Sequence, residues 1–125
     1  MDNSLDNKPY DLEERTFKFA KMVSAFCKQI PKNHLMNQQN LEYSKQLIRS
    51  SSSVGSNYIE ANEAVSKKDF VYRIRICRKE AKESAFFLRL IVETNDKSEI
   101  PDGSKLIDEA IQLKKIFSAI IEKSK

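Results

Sequence analysis

The stretch QLIRSSSSVGSNYIEANEAVSKKDFVYRIRICRKEAKES, residues Gln46–Ser84, decides the fold. Its first half is poor in helix formers. Ser50, Ser51, Ser52, Ser53, Gly55, Ser56 and Asn57 together cost roughly 3–4 kcal/mol relative to alanines in a helix. A seven-residue apolar pattern nevertheless runs through them without a phase shift, as Leu47, Ser51, Val54, Tyr58, Ala61 and Val65. Burying Leu47, Ile48, Val54 and Tyr58 returns about 1.5–3 kcal/mol per large side chain, so packing outweighs propensity. The serine run is therefore expected to be a helix whose small residues admit a close neighbour. The second half continues the pattern as Phe70, Ile74, Cys77, Ala81, Ser84, Leu88 and Ile91. Ser66 is its expected N-cap, with Asp69 three residues on as a weak capping box.

Two further segments carry the same spacing. Leu12, Thr16, Phe19, Val23, Phe26 and Ile30 form the first, with Asp11 as a cap, Glu13 and Glu14 in the first turn, and Pro31 as its stop. Leu106, Ala110, Leu113, Phe117 and Ile120 form the last, with Asp102 as a cap. Between the third and fourth segments, Asn95–Gly103 is polar, contains Pro101, and reads as a loop. A four-three alternation is the seam of helices crossing at about 20°. No strand-like alternation competes with it. The expected fold is all-α, an antiparallel up-down four-helix bundle. It forms one domain over residues 10–125, preceded by a flexible tail at residues 1–9.

The 125 residues suffice for one domain with a core, and 40% hydrophobic against 32% charged residues is a globular balance. No apolar run approaches the roughly 18 residues that span a bilayer. The start MDNSLDNKPYD lacks the basic and apolar regions of a signal peptide, so a cytoplasmic protein without a membrane partner is expected.

The net charge of +4 is local. Residues 67–94 hold eight basic side chains against four acidic ones, so the rest of the chain is neutral. Arg75, Arg78 or Lys79, Lys82 and Arg89 recur at helical spacing, and a basic stripe of this kind attracts phosphate backbones without reading bases. The residues expected to bind nucleic acid are Arg73, Arg75, Arg78, Lys79, Lys82 and Arg89. The competing reading is a solvated face paired with Glu80 and Glu83. Asn57 and Glu60, beside the seam, are expected to hydrogen-bond across to the third helix near Lys79 or Glu83. Apolar flanks beyond the seam, Tyr72, Ile76, Phe87 and Leu90 on the third helix, Ile107, Ile111, Ile116 and Ile121 on the fourth, Phe17 and Met22 on the first, exceed what a bundle needs. They predict a homo-oligomer; the competing reading is a bulkier monomer core.

Catalytic chemistry finds little support. His34 stands alone in a connection, and no glycine-rich phosphate loop is present. Glu60, Glu63, Glu80 and Glu83 lack the histidines of a transition-metal bundle site, and ion pairing competes with Mg²⁺ for them. Cys27 and Cys77 read as small buried hydrophobes. No enzyme activity, cofactor or metal is predicted.

The segments YDLEERTFKFAKMV at Tyr10–Val23, QLIRSSSSVGSNYIEANEA at Gln46–Ala64 and SKKDFVYRIRICRKEAKES at Ser66–Ser84 resemble the four-helix bundle proteins also called 23S rRNA intervening sequence proteins, or the S23 family. The likeness spans roughly residues 10–121. Asn57–Ala61 reads NYIEA where many members read NIAEG. The resemblance implies an up-down bundle commonly assembled as a pentameric ring. It also implies a bacterial source, in which members are encoded within 23S rRNA gene insertions or stand free in the genome. Related accessory proteins of diversity-generating retroelements bind nucleic acid and a reverse transcriptase through basic surfaces. No catalytic residues come with the family. The expected function is a non-enzymatic oligomeric bundle binding RNA or DNA backbones; the alternative is a protein-interaction scaffold.

Overall fold

The computed structural model describes residues 11–31 and 37–125. The expected tail at residues 1–9 and His34 lie outside the described residues. Four helices follow in order: α1 at Leu12–Gln29, α2 at Asn37–Asn62, α3 at Lys67–Thr94 and α4 at Gly103–Lys123. A 3₁₀ turn at Lys97–Glu99 precedes α4. Each helix packs against its neighbours in sequence, and α1 returns to α4. The result is the expected antiparallel up-down bundle.

The helix ends follow local chemistry, with two exceptions to expectation. Ile30 is extended (ψ 129°), as the residue before a proline must be, and α1 stops there. Ser66 is extended and its hydroxyl accepts from the Asp69 amide at 3.1 Å, as a capping serine should. Asp11 makes no side-chain capping bond, and neither does Asp102. The Asp102 carboxylate instead accepts from Gln29 Nε2 at 3.1 Å, tying the start of α4 to the end of α1. Glu13 and Glu14 still place negative charge at the start of α1, where the dipole favours it.

The serine run is helical throughout, as packing predicts. Ser50 and Ser51 are buried with Leu47, Val54, Tyr58 and Ala61. Their hydroxyls carry no orphan cost, because Ser50 donates to the Leu47 carbonyl (3.2 Å) and Ser51 to the Ile48 carbonyl (3.3 Å). Ser50 Oγ also meets Ser84 Oγ at 2.9 Å across the α2–α3 interface. Gly55 admits α1: a Cβ there would lie 3.1 Å from Thr16 Oγ1. At the other end of the bundle a Cβ on Gly103 would collide with Val92, so α4 starts hard against α3.

Some apolar positions differ from expectation. Val65 is 92% exposed, because α2 ends at Asn62 and the chain must turn to present Ser66 as a cap. Ile48 faces outward rather than into the core. On α4, Ile121 is buried and Ile120 only partly so. At about 100° per residue, Ile120 and Ile121 lie about equally far on either side of the seam centre, so spacing alone does not choose between them.

The core is built from Phe19, Val23 and Phe26 of α1, Leu47 and Val54 of α2, Ile74, Leu88 and Ile91 of α3, and Leu106, Leu113 and Phe117 of α4. Tyr58 tilts against Phe117 with ring centroids 6.3 Å apart. Asn40, at the base of α2, is buried and exchanges amide hydrogen bonds with Asn95 at the end of α3 (3.1 and 2.9 Å). It also donates to the Pro31 carbonyl at 2.9 Å.

Candidate nucleic-acid interface

The outer face of α3 is set by the burial of Ile74, Cys77, Ala81, Ser84 and Leu88 on the other side. Turning those residues inward leaves Arg75, Lys79 and Lys82 exposed together on solvent, one turn apart. None of the three makes an ion pair with another described residue. Arg78 stands at the α4 edge of this face and reaches Ser118 Oγ at 3.4 Å. Because α3 and α4 are antiparallel, that contact sets Lys114, one turn before Ser118, level with Lys82. Lys114 thus extends the face onto a second helix, a residue that reading α3 alone does not reveal.

Two other predicted residues are placed differently. Arg73 turns toward α2, where Nη1 donates to Asn57 Oδ1 at 3.0 Å, and its guanidinium lies 6.0 Å from the Tyr72 ring centre. The partner of Asn57 is therefore Arg73 rather than Lys79 or Glu83. Glu60 is exposed and takes no part. Arg89 is exposed but bound to Glu93 one turn on, at 3.0 Å. The acid paired in the α2–α3 seam is Glu83, which receives Arg49 at 2.7 Å.

The electrostatics follow the same geometry. The Glu122 carboxyl is held below the ordinary range, first by the Lys125 hydrogen bond (2.9 Å) and then, in smaller part, by Arg78 and Arg75. Glu80 is buried, and its Oε1 has no hydrogen-bond partner. Burial pushes its carboxyl above the usual range, Glu83 adds to the rise, and Arg49 and Lys79 oppose it. Burial also pushes the Cys77 thiol up to about 12, which leaves it a protonated core residue. Cys27 is only half-buried, and its thiol is raised for the same reason.

Glu60, Glu63, Glu80 and Glu83 are not gathered into one site. No group of three or more His, Cys, Asp or Glu side chains is placed to hold a metal ion among the described residues. No helix among them is long and apolar enough to cross a membrane. Tyr72 and Phe86 are 60% and 58% exposed beside the cations, whereas Ile76, Phe87 and Leu90 are partly buried. Phe87 lies 6.4 Å from Tyr43 of α2, centre to centre, and 5.3 Å from Phe86.

No match is found among curated proteins. A solved structure, the crystal structure of a protein of unknown function from the S23 ribosomal protein family of Bacteroides thetaiotaomicron, is similar to this chain with a TM-score of 0.72 and 28% identity. The similarity covers 87% of this chain and 96% of that one. The model of the 23S rRNA-intervening sequence protein family matches residues 10–119, nearly the whole bundle, and the chain belongs to that family.

Proposed function

We propose that this protein is a non-enzymatic, self-associating, cytoplasmic bundle that binds RNA or DNA through the phosphate backbone, using the outer face of α3. The observation that carries this reading is the row Arg75, Lys79 and Lys82, three exposed cations on one rigid helix without an acidic partner among the described residues. Such a row neutralises phosphates and releases their counterions, which gives affinity without base readout. Arg78 and Lys114 widen it. The Arg89–Glu93 pair is exposed, so it is weak enough to yield to a phosphate. Arg73, bonded to Asn57, serves the bundle rather than the ligand. Membership of a family named for 23S rRNA intervening sequences supports a nucleic-acid partner.

The test is a salt titration of binding to structured RNA, duplex DNA and single strands, for the native chain and for the triple variant Arg75→Glu, Lys79→Glu, Lys82→Glu. Losing three phosphate contacts should flatten the slope of log affinity against log salt by about 2–3 and weaken low-salt binding at least tenfold. Unchanged affinity sinks the proposal. A second reading, a protein-docking scaffold, is favoured by Tyr72 and Phe86, which are exposed aromatic anchors on the same face. A partner whose binding ignores both salt and the triple variant would select it.

A further inference from the structure

We infer that the outer face of α3 takes a single strand of nucleic acid in preference to a duplex. One base stacks on Tyr72 and another on Phe86, and the phosphates between them lie on Arg75, Lys79 and Lys82. The inference rests on the backbone-binding reading above and names the form of nucleic acid that the face serves. Tyr72, Arg75, Lys79, Lys82 and Phe86 are spaced three, four, three and four, so they share one stripe of α3, and all five are exposed. The order along the stripe is one aromatic ring, three cations, one aromatic ring. Among the described residues, Tyr72 and Phe86 are the two large apolar side chains that α3 leaves open, and they bracket the cations.

Both rings are steadied and both border a trough. Phe86 stands edge-on to Phe87, with planes at 84°, and Phe87 packs on Tyr43 of α2. A trough of about 340 Å³ lies beside Phe86, lined also by Arg89, Leu90 and Thr94. At the other end Tyr72 borders a trough of about 260 Å³ together with Glu60, Glu63 and Asp69. Those carboxylates repel phosphate, so the backbone track ends at Tyr72 and a base is what the ring receives. Arg73, bonded to Asn57, holds its guanidinium 6.0 Å from the Tyr72 ring centre.

The spacing suits an extended strand. Successive cations rise about 4.5–6 Å along the helix axis, the scale of the step from phosphate to phosphate. The two rings stand about 21 Å apart along that axis. Three phosphates join four nucleosides, so a run of about four nucleotides sets one base on each ring. A duplex offers the same phosphates but keeps its base faces inside the stack, which leaves both rings without a partner. A protein anchored on the rings would also need acids to match the three cations. A single strand satisfies rings and cations together.

Three probes test this on the full chain: an oligothymidylate of about a dozen nucleotides, the same strand with its bases removed, and a duplex of equal length. The abasic strand keeps the phosphates and offers nothing to stack. At about 0.2 M salt, where backbone attraction is weakened, the native chain should bind the oligothymidylate at least tenfold more tightly than either control. Tyr72→Ala with Phe86→Ala should cost the oligothymidylate at least tenfold and leave the two controls within about twofold. The chain has no tryptophan, so Phe86→Trp supplies a lone reporter. It should retain affinity, and its fluorescence should be quenched by the oligothymidylate and not by the abasic strand. Equal affinity for the oligothymidylate and its abasic form would overturn the inference, and so would a duplex bound as tightly as the single strand. Alanine at both rings without effect on any probe would overturn it too, and would assign the rings to a protein partner. The charge-reversed triple variant separates the two readings. If it binds every probe as the native chain does, the backbone reading falls. If it weakens all three while the native chain binds them alike, only the single-strand inference falls.

Discussion

Among the described residues Glu80 is the only charged side chain folded into the interior, at 7% exposure, with Oε1 unpartnered. Burial raises its carboxyl, so the folded state binds the proton more tightly than the unfolded chain. Its contribution is therefore fully present below the unfolded value, near ~4.3, and is lost as pH rises through the higher folded value. Glu80→Gln removes that loss. The variant should be more stable than the native chain at pH 8 by about 1 kcal/mol, and the difference should shrink toward pH 4 in denaturant titrations. A difference that is flat across this range would contradict the assignment. The sequence places Glu80 among solvated partners of the basic stripe, because Lys79 and Lys82 flank it. Burial of a carboxylate at the edge of an apolar seam depends on how near α2 approaches, and the small Ser50, which meets Ser84 across the α2–α3 interface, lets it come near. The same limit hides the partner of Asn57, since the register of a helical hairpin is set by the geometry of its turn.

At the scale of the element, periodicity carries α2 and α3 well. Leu47, Val54, Tyr58, Ile74, Ala81 and Leu88 all reach the core that their spacing assigns them, and the serine run is helical because its hydroxyls bond within the helix. Val65 does not, because the cap at Ser66 needs an extended residue and the turn takes precedence over the heptad. The basic face was legible as charge at helical spacing on α3. The turning of Arg73 into the α2 seam and the arrival of Lys114 from α4 depend on neighbours, and no single-helix pattern holds them. The Asn40–Asn95 pair is also a product of tertiary placement. It closes the ends of α2 and α3 with two reciprocal bonds, and Asn95 Nδ2 further donates to the Ile91 carbonyl at 2.9 Å. Asn95→Ala should leave the buried Asn40 without its amide partner and cost about 1–3 kcal/mol. Faster hydrogen exchange should be confined to the first turns of α2 and the last turn of α3. Unaltered exchange at Asn40–Tyr43 would show that the pair does not hold the helix end.

For the whole molecule, the four apolar stripes suggest four equivalent edges, yet the edges differ. The α2–α3 and α3–α4 seams run the length of long helices, of 28 residues in α3 and 21 in α4. The edge from α1 to α4 is narrow, and a trough lined by Met22, Ala25, Lys105 and Asp108 opens along it. One bidentate ion pair spans it: Arg15 Nε and Nη2 donate to the two carboxylate oxygens of Glu109, at 2.8 and 2.9 Å. That pair is partly exposed, so salt screens it, and its fork geometry makes it stronger than a surface average. Of the four helices, α1 should therefore open most easily, swinging on α2 while α2, α3 and α4 stay packed. In native-state hydrogen exchange, the central amides of α1 should be less protected than those of α3. Arg15→Ala should lower the α1 opening free energy by about 0.5–1 kcal/mol at low salt and by less at 1 M salt. The most protected amides of α3 should not respond beyond the change in global stability. If α1 and α3 instead lose protection together and by equal amounts, the bundle opens as one unit and the narrow edge has no separate role.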